Sequence, residues 1–199
     1  ALLAQGRAAD AAAEVTPHAG TAAPDVLEAS EDERFEWAWN NTALGYALLE
    51  QKSLKEAIQR FDWALTAQPA NVVANYGQAR ALYANGNVEA AQGYLERGVA
   101  LEPETVRTRL LLGEVFLKQG KVRQAMEQYQ HVAGAAGAKG SKAQRAQAHL
   151  GVAEAAAAGK DFKLALEELK NATAEEPGNL ALRVRHGDMA LRMGDWPQA

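Results

Sequence analysis

Small and large apolar positions recur along this chain at a fixed interval. Between Leu44 and Pro69 the order is Leu44-Gly45, Leu48, Ala57, Phe61, Ala64 and Pro69. Small residues stand where two helices must touch, large ones fill between them, and a proline ends the unit. The order returns as Ala79, Leu82, Ala91, Leu95, Gly98 and Pro103, and again as Gly113, Phe116, Ala125 and Tyr129. From Gly45 to Ala79 to Gly113 the step is 34 residues each time, as it is from Ala57 to Ala91 to Ala125. A period of that size predicts stacked repeats.

Four full units follow from this register: 38–71, 72–105, 106–139 and 146–179. Each predicts two antiparallel helices. The first helix closes near Gln51-Lys52, Gly86, Gly120 or Gly159, where glycine supplies the left-handed turn. Ser53, Asn87 and Asp161 then cap the second helix, and Ser53 with Glu56 has the spacing of a capping box. Asn71 and Asn179 suit the caps of the following first helices. Ser30 with Glu33 predicts a helix opening near Ser30 and running to Glu50. The third junction departs from the rule. Ala125 to Ala165 is 40 residues, so six are inserted, and the run from Gly134 to Gly140 reads as a protruding, mobile loop. Ser141 and Gln144 cap the longer helix after it. A partial unit, 180–199, has Gly187 in register, a turn at Gly194, a cap at Asp195 and Pro197 in the next first turn; it leaves Val184 and Leu191 without cover. Residues 1–37 form a separate N-terminal segment. Its alanine-rich start, 1–15, reads as the tail of a preceding repeat, with Ala11 and Val15 in the places of Ala57 and Phe61. Residues 16–24 read as loop. The chain begins with Ala1 rather than Met, as a piece of a longer protein would.

Composition sharpens the fold class. Alanine, leucine and long straight side chains dominate, and no alternating β-branched run occurs, so the chain is all-α, without a sheet. Its 199 residues then form one elongated array (38–199) rather than two globular domains. The net charge of −4, with no basic stripe, argues against nucleic acid. Residues 1–37 carry −6 and the remainder +2. The acidic run 25–37 reads as a solvated helix start, with an acidic docking strip as the alternative. There is no cysteine, hence no disulfide and no thiolate site. No apolar run reaches membrane-spanning length, and the first twenty residues lack the pattern of a signal peptide.

Candidate chemistry is sparse. His18, His131, His149 and His186 are scattered, without metal-ligand spacing, and read as surface or interface histidines. The segment Gly134 to Ser141 fails as a phosphate loop, because Lys139 precedes Gly140 and a helix rather than a strand comes before it. Glu167-Glu168 and Glu175-Glu176 read as solvated faces. No nucleophile stands with a base, so no enzyme activity, metal or cofactor is expected.

The repeated residues resemble the tetratricopeptide repeat (TPR) family. Unit one keeps Leu44, Gly45, Ala57, Phe61, Ala64 and Pro69; unit two Ala79, Ala91, Leu95 and Pro103. Unit three keeps Leu112, Gly113, Phe116, Ala125 and Tyr129; unit four Ala153, Ala165, Leu169, Ala172 and Pro177. The resemblance implies a right-handed α-solenoid, a superhelix of antiparallel helix pairs whose first helices line a concave groove. It also implies that the groove binds a protein or peptide without catalysis. Carried onto this sequence, the groove positions are Trp39, Thr42, Tyr46 and Leu49, then Val73, Tyr76, Arg80 and Tyr83. Unit three supplies Arg107, Leu110, Glu114 and Leu117. Unit four supplies Gln147, Leu150, Glu154 and Ala157, and the partial unit Ala181, Val184, Asp188 and Leu191. Tyr46 and Tyr76 have a second reading, packing between neighbouring first helices; Arg80 and Glu114, at matching positions, have one as an ion pair. Members that clamp a terminal carboxylate use cationic first-helix donors. Here Thr42, Tyr46, Gly77 and Leu111 fall at those places, and Arg107 alone is too few.

The expected function is a scaffold or adaptor using the groove. A spacer or a module that self-associates through the open C-terminal unit is the alternative, and a regulatory segment of an enzyme is the weaker third. No nucleic acid and no membrane insertion are expected.

Overall fold

Nine α-helices and no strand make up the residues this computed structural model describes, 29–134 and 140–193. They fall into two units, Ala1–Glu102 and Pro103–Ala199. The first holds α1 (Glu31–Glu50), α2 (Leu54–Ala67), α3 (Val72–Ala84) and α4 (Val88–Leu101). The second holds α5 (Val106–Lys118), α6 (Val122–Ala133), α7 (Lys142–Ala158), α8 (Phe162–Glu175) and α9 (Leu180–Met193). Within each unit every helix packs on the next, and first helices of neighbouring repeats also touch, α1 on α3 and α5 on α7. The expected loop tip, the N-terminal helix and loop, and the turn and cap at Gly194 and Asp195 lie outside the described residues.

The turn inside each pair has one geometry. A left-handed residue follows the first helix: Lys52 (φ 61°), Gly86 (φ 87°), Gly120 (φ 73°) and Lys160 (φ 65°). The next N–H then donates back to a carbonyl of that helix, Ser53 to Leu48, Asn87 to Leu82, Lys121 to Phe116 and Asp161 to Ala156, at 2.8–2.9 Å. This is a Schellman closure. It corrects two expectations. Gly159 is right-handed (φ −78°), and Lys160 takes the left-handed place. Ser53 forms no capping box with Glu56, because the turn holds it at ψ 66° instead of the extended ψ of 163° at Ser30.

The other expected caps form. The Ser30–Glu33 box closes with the Ser30 N–H and hydroxyl both donating to the Glu33 carboxylate at 2.8 Å, which holds that carboxyl below its ordinary pKa. Ser141 and Gln144 close the same box on α7. Asn71, Asp161 and Asn179 accept from Ala74, Leu164 and Leu182.

Packing follows the small-and-large pattern. Ala57, Ala91, Ala125 and Ala165 are fully buried where paired helices cross. Phe61, also fully buried, sits between Gly45 of α1 and Gly77 of α3. A β-carbon would meet its ring at 2.8 Å from Gly45 and at 2.3 Å from Gly77. Tyr129 repeats this in the second unit, against Gly113 and Gly151, at 2.7 and 2.6 Å. Where the equivalent plug is Leu169, its neighbour in the core is Ala153 instead of glycine.

Polar ties join the two helices of a pair at equivalent places, 19 residues apart. Arg60 donates to Asn41 at 3.2 Å, Arg109 to Gln128 at 2.8 Å, and His149 Nδ1 lies 2.6 Å from Glu168. Arg145 adds a two-pronged pair with Glu175, both contacts 2.8 Å. Glu168 and Glu175 are therefore not the solvated acids the sequence suggested; each has found a partner across the pair.

Candidate partner-binding face

The first helices carry the expected groove positions, and burial sorts them. On α1 and α3, Val73 and Arg80 are exposed, and Trp39, Tyr46, Leu49, Tyr76 and Tyr83 are half-buried. Thr42 is corrected: it is 1% exposed, and its hydroxyl donates to the Ala38 carbonyl at 2.6 Å. The hydroxyl is bound to the helix's own backbone and has nothing to offer a partner.

Tyr46 has a clear packing role. Its hydroxyl donates to the Val73 carbonyl at 3.0 Å, and its ring meets Phe61 edge-on with centroids 5.1 Å apart. It ties α1 to α3 directly above the Phe61 plug. The Arg80 guanidinium lies 5.9 Å from the centre of the Tyr76 ring on the same helix, within cation–π range. The result is a surface of aromatic and aliphatic groups with an exposed cation, over a rigid core.

In the second unit Arg107 and Glu114 are exposed on α5 and Leu117 is half-buried. Leu110 is corrected: at 6% exposure it belongs to the core. On α7 and α9, Glu154 and Asp188 are exposed and Leu150 and Ala157 half-buried. Glu154 pairs with Arg185 across the two helices. Beneath this pair lies a cleft of about 240 Å³, floored by Leu150, Ala153, Ala157, Leu169 and Met189 and rimmed by Arg185, Asp188 and Arg192. The repeat pattern does not single out Arg185, Met189 or Arg192. The available signal was the smaller plug: Leu169 stands where Phe61 and Tyr129 stand in other repeats.

A second aromatic group belongs to the first unit. Trp37 and Trp63 approach to 6.3 Å, with Arg60 4.9 Å over Trp63 and Arg97 5.5 Å over Tyr94. Trp63 and Tyr94 pack against the buried cluster of Trp37, Ala64 and Leu65, so their main work is closing that core. Among the described residues no group of three or more metal-binding side chains comes together, and no helix is long and apolar enough to cross a membrane.

Comparison with known proteins agrees with this architecture. A family model described as tetratricopeptide repeat matches residues 42–91 and 76–141, together half of the chain. DnaJ homolog subfamily C member 3 of Mus musculus is 34% identical over 89 residues, 45% of this chain and 18% of that protein; the Homo sapiens protein is 33% identical over the same length. The match thus spans less than a fifth of those relatives. Among solved structures, MamA (41-end) from Desulfovibrio magneticus RS-1 superposes with a TM-score of 0.70 at 18% identity, covering 87% of this chain and 89% of its own. YrrB, described as a TPR protein with an unusual peptide-binding site, gives 0.66 at 18% identity, covering 89% and 88%. Pseudomonas aeruginosa pilF gives 0.73 at 13% identity, covering 83% and 72%. These likenesses establish the fold, an all-α solenoid of helix pairs.

Proposed function

Because the chain belongs to the tetratricopeptide repeat family, we propose that it is a non-catalytic scaffold or adaptor that binds a protein or peptide partner along the groove face of its first helices. The observation that carries this is the α1–α3 surface. Val73 is 44% exposed, beside the exposed Arg80 stacked on Tyr76 and the half-buried Tyr83. Aromatic side chains and arginine are the groups that most often dominate binding energy at interfaces. Tyr46, Phe61 and the glycines beneath hold that surface in place, so little ordering is needed on binding. The peptide-binding site of YrrB supports the same use of a related fold.

Peptides selected from a display library on the intact chain, followed by hydrogen exchange with and without the peptide, test the reading. Protection of α1 and α3 is the expected result. Protection confined to α2 and α4 would move the site to the second helices.

A spacer or self-association role is the second reading. It draws on α9, where Leu180, Val184 and Leu191 are 69%, 61% and 44% exposed. A sedimentation profile that shifts with protein concentration would favour it.

A further inference from the structure

The cleft between α7, α8 and α9 occupies the place that an aromatic plug fills elsewhere in the same chain. In the first unit, Phe61 inserts between α1 and α3 and packs with Tyr46, Leu49 and Ala81. The equivalent residues at the α7–α9 junction are Leu169, Glu154, Ala157 and Met189. Phenylalanine has become leucine, tyrosine has become a glutamate turned to Arg185, and leucine has become alanine. Only methionine in place of alanine works the other way. The balance is space: about 240 Å³ with an apolar floor, open on the first-helix face. No such substitution affects the α5–α7 junction, where Tyr129 is 4% exposed against Gly113 and Gly151.

The walls also have a charge preference. Glu154 is already engaged by Arg185. The exposed face of α9 presents Arg183, Arg185 and Arg192 against the single acid Asp188. Once Glu154 is neutralised by its pair, the surroundings of the cleft are basic.

We propose that this cleft is a socket for one aromatic side chain of a partner, carried on an acidic segment. The proposal rests on the reading that first-helix faces bind a partner, and adds the anchor and the charge of that partner. A phenylalanine ring entering from the open face would take the place that Phe61 takes from within, against Ala153, Ala157, Leu169 and Met189. Acidic neighbours on either side would meet Arg192 and Arg183. Methionine suits the floor, since its thioether adapts to a ring and contacts it favourably.

The test uses the full chain and three short peptides: one phenylalanine between glutamates, the same peptide with alanine in place of phenylalanine, and the same peptide with lysines in place of glutamates. Titration calorimetry gives affinity, and the Met189 methyl resonance, assigned with Met189→Leu, reports the site. The glutamate–phenylalanine peptide should shift that resonance and bind at least about tenfold more tightly than either counterpart, a difference of ~1.4 kcal/mol. Ala157→Phe, which fills the cleft from α7, should abolish both signals with helicity retained. Should that variant fail to fold, the Met189 shift in the unaltered chain decides alone. Equal binding by the alanine peptide, or a silent Met189, overturns the socket. Equal binding by the lysine peptide overturns its acidic preference. A silent Met189 together with binding that is lost on Val73→Ser and Arg80→Ser would overturn the socket and leave the α1–α3 face standing.

Discussion

The ring of Phe61 rests on the bare backbone of Gly45, so near that a β-carbon there would come within 2.8 Å of it. The relationship is reciprocal in sequence. Where the plug is aromatic, as at Phe61 and Tyr129, its neighbours on both sides are glycines; where it is Leu169, the neighbour is Ala153. Volume is conserved across the contact, as a close-packed interior requires.

Gly77→Ala should therefore destabilise the chain, although alanine is the better helix former. The new β-carbon would lie 2.3 Å from the Phe61 ring, and overpacking costs ~1–3 kcal/mol against a propensity gain of at most about 1 kcal/mol. A net loss of roughly 1–2 kcal/mol is expected in urea melts followed by circular dichroism. Adding Phe61→Leu, which restores the leucine–alanine pairing of Leu169 and Ala153, should cost less in the Gly77→Ala background than alone. Additive effects would show that the two residues do not share a contact.

The turns offer a backbone test free of packing. Lys160 is left-handed, a conformation that costs an ordinary residue ~1–2 kcal/mol. Part of that gain is lost to the greater freedom of glycine in the unfolded chain, so Lys160→Gly should raise stability by about 0.5–1 kcal/mol. Gly86→Ala, at φ 87° with open space around the added carbon, should lower it by about 1 kcal/mol. Thermal melts that move in the opposite directions would contradict the turn geometry.

The Arg145–Glu175 pair predicts a dependence on acid. Hydrogen bonds from Arg145 hold the Glu175 carboxyl below its ordinary pKa. A depressed carboxyl stabilises the fold at every pH above its unfolded value, about 4.3, and that contribution is lost as pH falls through the lower folded value. The melting temperature should thus decline as the pH drops below about 4. Glu175→Gln should lie below the unaltered chain at neutral pH and show a shallower acid decline. An identical decline in both would remove Glu175 from the acid response.

Much of this was readable because the repeat fixes positions. A step of 34 residues places Ala57, Ala91 and Ala125 at one kind of helix crossing, and a single insertion before Ser141 moves everything after it by six. What escaped was set by partners far apart in the chain. Glu168 looked solvated because nothing near it in sequence marks a partner, yet His149, 19 residues earlier, faces it across a helix pair. Glu175 meets Arg145 over 30 residues in the same way. Gly77 and Gly151 were not recognised as the second walls of the aromatic sockets, since each belongs to the repeat after its plug. Thr42 and Leu110 were assigned to the groove by register. Both occupy the same repeat position two units apart, and there the helix turns its side chain into the core. Ser53 had the right partner for a capping box, but the tight turn set its backbone elsewhere.

A partner that binds along the first helices must lose affinity when those helices are altered, and little when the second helices are. A display-selected peptide and two variants of the first unit, both checked for unchanged helicity, measure this. One variant carries Val73→Ser, Tyr76→Ala and Arg80→Ser on α3. The other reverses exposed acids of the second helices, Asp62→Lys on α2 and Glu89→Lys on α4. Binding by the α3 variant should weaken about thirtyfold or more, the equivalent of a hot spot of ~2 kcal/mol. The second-helix variant should stay within about twofold, because exposed charges at a rim mainly alter association rate. Undiminished binding by the α3 variant, with loss in the second-helix variant, would contradict groove binding and place the site on the second helices.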